Sequence, residues 1–166
     1  MIKACAYSLL LLLFLGIPAV LFAQQQVDAE KEREEKAAIE ALLQELFAGM
    51  KAKDAKRVAP LFHAEASMQT VGLDEMGAPY LGPGNVEAFL KRIAETPEGT
   101  VLDEQLTDVM IRMDGPLAHA WTPYRFYVSG NFSHCGVNSF QLIKEADRWQ
   151  IVHVLDTRRT ENCEEK

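Results

Sequence analysis

The sequence is poor in the groups on which several common enzyme classes depend. It holds 3 Cys and 4 His in 166 residues. Cys135 and Cys163 lack the close pairing of a structural zinc site, and "HAEAS", "FSHCG" and "IVHVL" lack the compact two-histidine spacing that zinc enzymes place on a helix. No metal is therefore expected. A glycine-rich phosphate loop, a GxSxG nucleophile turn and a dinucleotide glycine fingerprint are all missing, so no cofactor is expected either. Basic residues are also short, with 17 Lys and Arg against 24 Asp and Glu and a net charge of -7. That balance argues against nucleic acid or an anionic membrane surface as the main partner. No internal repeat is present, and no heptad pattern continues beyond the first helical segment.

Among the features that are present, the start of the chain stands apart. Residues 1–23 have the layout of a secretory signal peptide, with Lys3 ahead of an uncharged run from Leu9 to Ala23 and a cleavage site after Ala23. The run is shorter than the roughly 20 apolar residues that span a bilayer. Counting back to Ala4 reaches spanning length, so an uncleaved anchor is the alternative. Absence of a Cys at the end of the run gives no indication of a lipid. Either reading makes the protein exported, periplasmic or secreted. Export permits a Cys135–Cys163 disulfide; the alternative is Cys135 as a small buried hydrophobe.

Residues 24–36 are a charged extension expected to project or fray. From there Ile39, Leu42, Leu43, Leu46, Phe47 and Met50 recur at three and four residue steps, which predicts an amphipathic helix. Asp54 can cap a second helix in "AKRVAPLFH", disturbed by Pro60, and Asn85 a third that carries Val86, Phe89, Leu90 and Ile93. Beyond Val101 the period changes to two. Thr107, Val109, Ile111 and Met113 share one strand face, two longer strands run over 117–128 and 133–143, and "RWQIVHVLDTRR" closes the set. Helices first and strands afterwards read as α+β.

The long strand pair carries most of the polar groups. With Gly130 and Asn131 as the turn, Trp121, Arg125, Tyr127, His134, Asn138 and Phe140 share one face, and Gly136 opposes Arg125. These residues, with Tyr80 from the glycine-rich loop "GLDEMGAPYLGPGN", are the candidate ligand-binding set. Trp121 and Tyr80 can stack on a flat ligand, and Arg125 can meet a carboxylate or enolate. Candidate acid/base residues are His63, His134 and Asp156. His153, two residues beyond Ile151, reads as sharing its face and packing internally. The competing reading is a solvated or subunit-facing sheet surface.

The segments "LLQELFAGMKAKDAKRVAPLFHAEASM" and "MIRMDGPLAHAWTPYRFYVSGNFSHCGVNSFQLIKEADRWQIVHVLDTRR" resemble the SnoaL-like and NTF2-like superfamily, closest to its lumazine-binding branch. The resemblance spans about residues 37–160 and leaves 161–166 as an acidic tail. It implies a cone-like, cystatin-like roll in which N-terminal helices pack on a curved antiparallel sheet around a cavity, and often a homodimer. Given the cavity that the resemblance implies, Trp121 and Arg125 point to a small-molecule partner, partly apolar and anionic or carbonyl-bearing. Two other functions remain open: a cyclase- or isomerase-like enzyme using a His or Asp in the cavity, and a non-catalytic interaction module.

Overall fold

A computed structural model of the chain describes residues 13–163. Two units are present, residues 1–38 and 39–166. In the first, helix α1 (Leu13–Lys51) is already formed. The charged stretch is helical rather than frayed, and mostly exposed. Arg33–Glu30 and Lys36–Glu32 pairs decorate its surface, three and four residues apart. No helix among the described residues is long and apolar enough to cross a membrane. Residues 1–12 of the expected signal segment and 164–166 of the acidic tail lie outside the described residues.

The second unit begins with the apolar stripe of α1. Ile39, Leu42, Leu43, Leu46 and Met50 are all buried, each contributing about 1.5–3 kcal/mol by leaving water. Phe47 meets Phe140 edge-on, with ring centroids 6.4 Å apart. Asp54 accepts from the Arg57 amide at 3.0 Å and starts α2 (Ala55–Val58). Pro60 then falls in a separate 3-10 turn, Ala59–Leu61, near its start. The proline thus ends the short helix instead of disturbing its middle. Asn85 caps α3 (Val86–Ala94) by accepting from the Ala88 amide at 2.7 Å, and Phe89 of α3 packs edge-on against Phe62 at 6.1 Å.

Seven strands make one sheet: β1 (Phe62–Leu73), β2 (Pro79–Gly84), β3 (Leu102–Leu106), β4 (Met110–Asp114), β5 (Leu117–Val128), β6 (Asn131–Glu145) and β7 (Arg148–Thr157). Their order is β2-β1-β7-β6-β5-β3, with β4 also on β5. The fold is α+β and cystatin-like, with the helices on a curved, unclosed sheet. One expectation changes. The sheet is mixed, because β1 joins β7 in parallel whereas every other pair is antiparallel.

The single strand expected after Val101 is two, β3 and β4, both on the same edge of β5. Pro123 lies opposite the break. Its carbonyl accepts from the Thr107 amide at 2.9 Å, and the N–H it lacks would have served that same edge.

The β5–β6 turn is centred on Ser129 and Gly130, with φ values of 52° and 82°, since this tight turn needs the left-handed region at both positions. By itself that two-residue shift in pairing preserves which side chains share a face. The face assignment changes at a bulge. Tyr127 pairs with Phe132 and Phe126 with His134, leaving Ser133 as an extra residue in β6. From there on Arg125 opposes Cys135, Thr122 opposes Asn138, and Ala120 opposes Phe140. His134, Asn138 and Phe140 consequently face the helices, with Thr122 and Tyr124. Trp121 and Arg125 face the other way. A second bulge at Val152 separates Ile151, opposite Leu142, from His153, opposite Gln141. His153 therefore leaves the face that Ile151 occupies.

Gly136 opposes Tyr124 rather than Arg125. Its neighbourhood is full: an added Cβ would lie 1.8 Å from the Thr157 carbonyl oxygen and 3.0 Å from the Tyr124 ring. Gly136→Ala is expected to force the end of β7 outward and cost about 1–3 kcal/mol, read as a lower urea midpoint. An unchanged midpoint would show that β7 is not pressed on β6 there.

Candidate functional site

The concave side of the sheet and the helices enclose a cavity of about 740 Å³. Leu46, Phe47 and Met50 of α1, Phe89 of α3, and Met68, Phe140 and Val154 of the sheet form its apolar wall. The rim is carried by β2 and the end of β1. There Tyr80, half-exposed, lies across Gly72, where an added Cβ would stand 2.5 Å from its ring. Absence of a side chain at Gly72 lets the aromatic ring cover the strand pair.

The polar end has a simple origin. Sheet register lines up Thr70, Asp156, Asn138 and Thr122 on four successive strands. Glu104, from β3, meets this row. Asn138 donates to Glu104 Oε1 at 2.7 Å. Thr70 donates to one Asp156 oxygen, and Arg158 Nε donates to the other at 2.7 Å. Thr122, Asn138 and Asp156 are buried, so these bonds satisfy groups that would otherwise be costly to desolvate.

Two carboxyl groups share this end. Burial pushes the Glu104 carboxyl up to about 7 against the opposing Asn138 hydrogen bond, with smaller effects of Asp156, which raises it, and Arg158, which lowers it. Glu104 can thus hold or release a proton near neutral pH. Tyr124 is raised by burial and by the charges of Glu104 and Asp156. Burial, then the Arg158 charge, lowers His134, against a smaller opposing effect of Asp156. His134 packs against Tyr124 and Phe126, with ring centroids at 5.7 and 4.9 Å.

The residues predicted from sequence divide between places. Tyr80, Asn138 and Asp156 line the cavity, and His134 lies on the same side of the sheet. Trp121 and Arg125 instead line a groove on the outer face, beside the Cys135–Cys163 disulfide. Tyr127 packs on Phe132 near the turn, with centroids at 5.8 Å. His63 sits beside Glu145, its Nε2 at 3.7 Å from Oε2, and does not line the cavity. His153 bonds Ser67 at 2.7 Å on the outer face. Among the described residues no group of His, Cys, Asp and Glu is arranged to hold a metal.

A family model for the SnoaL-like domain matches residues 31–154. The chain belongs to the SnoaL-like domain family. Solved structures agree on the fold. A protein of unknown function from Mycobacterium tuberculosis is 16% identical, with a TM-score of 0.62 over 79% of this chain and 75% of that one. A provisionally named scytalone dehydratase from Novosphingobium aromaticivorans is 12% identical, with a TM-score of 0.61 over 80% and 89%. An NTF2-like protein of unknown function from Shewanella baltica is 19% identical, with a TM-score of 0.53 over 77% and 96%. No protein of curated function matches the sequence.

Sequence reasoning missed Glu104, Thr70 and Arg158 in this SnoaL-like domain. For Glu104 a signal existed: in "LDEQL" it alternates with Leu102 and Leu106, which marks an acid on an inward strand face. The raised Glu104 carboxyl also fixes a stability trend. The native state holds this proton more tightly than an unfolded carboxyl at 4.5, so stability falls as pH rises from about 4.5 to about 7 and is level above. Glu104→Gln, a mimic of the protonated form, should be more stable than wild type by about 1–3 kcal/mol near pH 8 and equal to it near pH 4. Urea unfolding at both pH values checks this; equal stability near pH 8 would contradict the desolvated carboxyl.

Proposed function

We propose that the cavity binds a small, mostly apolar molecule whose hydroxyl or carbonyl group lies at Glu104, Asn138, Asp156 and Arg158. One observation carries this reading: an apolar wall of α1, α3 and the sheet ends in a buried, hydrogen-bonded polar row inside about 740 Å³, the composition of a small-molecule site. The anionic ligand expected from Arg125 loses its basis, because that guanidinium points to the outer face. A ligand carboxylate in the cavity would instead meet Glu104 and Asp156, with Arg158 already engaged. A neutral polar end fits better. 2-Naphthol, with an apolar body and one hydroxyl, satisfies that description; lumazine, the flat carbonyl-bearing heterocycle suggested by the resemblance, is polar on both rings and fits it less well. Calorimetry should give one site for 2-naphthol, weakened about tenfold by Glu104→Ala, on the scale of one buried hydrogen bond, and unchanged by Trp121→Ala. Equal weakening by both, or binding abolished only by Trp121→Ala, would move the ligand to the outer face.

A second reading is favoured by Glu104 itself. A carboxyl titrating at about 7 inside a ligand cavity is suited to general acid/base work. Proton transfer at a carbon beside a carbonyl, or loss of water from a hydroxylated ligand, is the class of reaction it supports. The provisional dehydratase names of two structural neighbours, from Novosphingobium aromaticivorans and Streptomyces avermitilis, support the same class. With 2-tetralone in deuterium oxide, the protein should accelerate α-carbon exchange, the rate rising through about pH 7 and falling about 100-fold in Glu104→Gln. No acceleration over buffer, with binding intact, would leave a binding protein.

A further inference from the structure

The end of β7 has a different fastening on each side of the sheet. On the outer face Cys135 exchanges two backbone hydrogen bonds with Arg159, at 2.8 and 2.9 Å. Cys163 then closes back on Cys135 through the disulfide, with Cα atoms 5.7 Å apart. Arg125 Nη2 donates to the Cys163 carbonyl at 2.8 Å. On the inner side, one residue before Arg159, Arg158 borders the cavity and donates to Asp156 at 2.7 Å. Tyr124 donates to the Thr157 carbonyl at 3.0 Å. The disulfide and the short 159–163 segment on one face therefore hold the backbone that carries a charged cavity group on the other.

We propose that the Cys135–Cys163 bond is a redox fastener for the cavity mouth: a dithiol that opens it frees the 159–163 segment and releases Arg158 from its fixed place on Asp156. The consequence for ligands rests on the cavity-binding reading above; the release of Arg158 does not.

Access decides the chemistry. Cys135 is 2% exposed, whereas Cys163 is half-buried, so an external thiolate reaches the Cys163 sulfur. It forms a mixed disulfide there, and the Cys135 sulfur leaves and takes up a proton. The second thiol of the reductant then displaces Cys163, which is protonated in turn. The protein disulfide is reduced to two thiols as the dithiol is oxidised to a disulfide, with two electrons and two protons transferred.

After opening, the contacts that hold the segment to the sheet among the described residues are its backbone pair to Cys135 and the Arg125 contact. Strand ends held by few bonds open readily. As β7 loosens from its end, Asp156 keeps Thr70 as donor and loses Arg158. Its carboxylate then stands less compensated beside Glu104, and the mouth of the cavity is wider and more negative.

The test uses the full chain, oxidised or treated with dithiothreitol, with far-UV circular dichroism to show that both forms are folded. NMR should show exchange of the Arg158 Nε–H and of the Cys135 and Arg159 amides about tenfold faster after reduction. The 2-naphthol Kd should rise about tenfold, the scale of one charge-assisted hydrogen bond. Cys135→Ser/Cys163→Ser should behave as the reduced protein and ignore dithiothreitol, which separates this bond from Cys5. In oxidised Arg158→Gln, binding should weaken with amide exchange at Cys135 and Arg159 unchanged. Unchanged Arg158 exchange in reduced, folded protein overturns the proposal, as does faster exchange with an unchanged Kd. If 2-naphthol binds neither form, the cavity-binding reading fails, and Arg158 exchange alone decides whether the bond fastens the mouth.

Discussion

Ser133 in β6 and Val152 in β7 each stand without a cross-strand partner, and the facing of the groups around the cavity follows from these two insertions. An extra residue in one strand reverses the alternation beyond it and sharpens the local twist. At Ser133 the reversal carries Asn138 and Phe140 to the same side as Thr122 and Tyr124, and leaves Arg125 and Trp121 outside. At Val152 it places His153 outside while Val154 and Asp156 turn in. The concavity that receives the helices and the identity of its lining thus share one geometric cause.

The two faces then take different solutions to burying polar groups. Inside, the row Thr70, Asp156, Asn138 and Thr122 is closed by Arg158 and Glu104, so each buried group has a partner and one proton remains exchangeable near neutral pH. Outside, Ser67, His153, Gln141, His119 and Arg112 form another row across five strands. There the histidines meet hydroxyls, His153 with Ser67 and His119 with Ser139, at 2.7 and 3.0 Å. Desolvation separates these surfaces. Glu104, desolvated against the inner row, is forced upward, whereas the outer row has water as an alternative partner.

Gly136 joins the faces. The close approach of the Thr157 carbonyl excludes any side chain there, and the same approach lets Tyr124 and the disulfide-bound segment fix the end of β7. A covalent link on the outside can then bear on the position of Arg158 within, through backbone alone.

The helical stripe from Ile39 to Met50, the change to alternation after Val101 and the caps at Asp54 and Asn85 were legible in the sequence, because each rests on local periodicity or on a side chain within one turn. Asn138 and Asp156 were named as candidates, but the sequence set Asn138 on one face with Trp121 and Arg125, from which the bulge at Ser133 separates it. The parallel β1–β7 pair, the split of β3 from β4, the bulges and the meeting of Glu104 with Asn138 were decided by tertiary structure. A bulge is one residue whose position depends on how two distant strands bend around a helix, and a carboxyl's proton affinity depends on what buries it. Neither is a property of the stretch that carries it, so composition and spacing could name the groups, and only packing could choose their face, their partners and their charge.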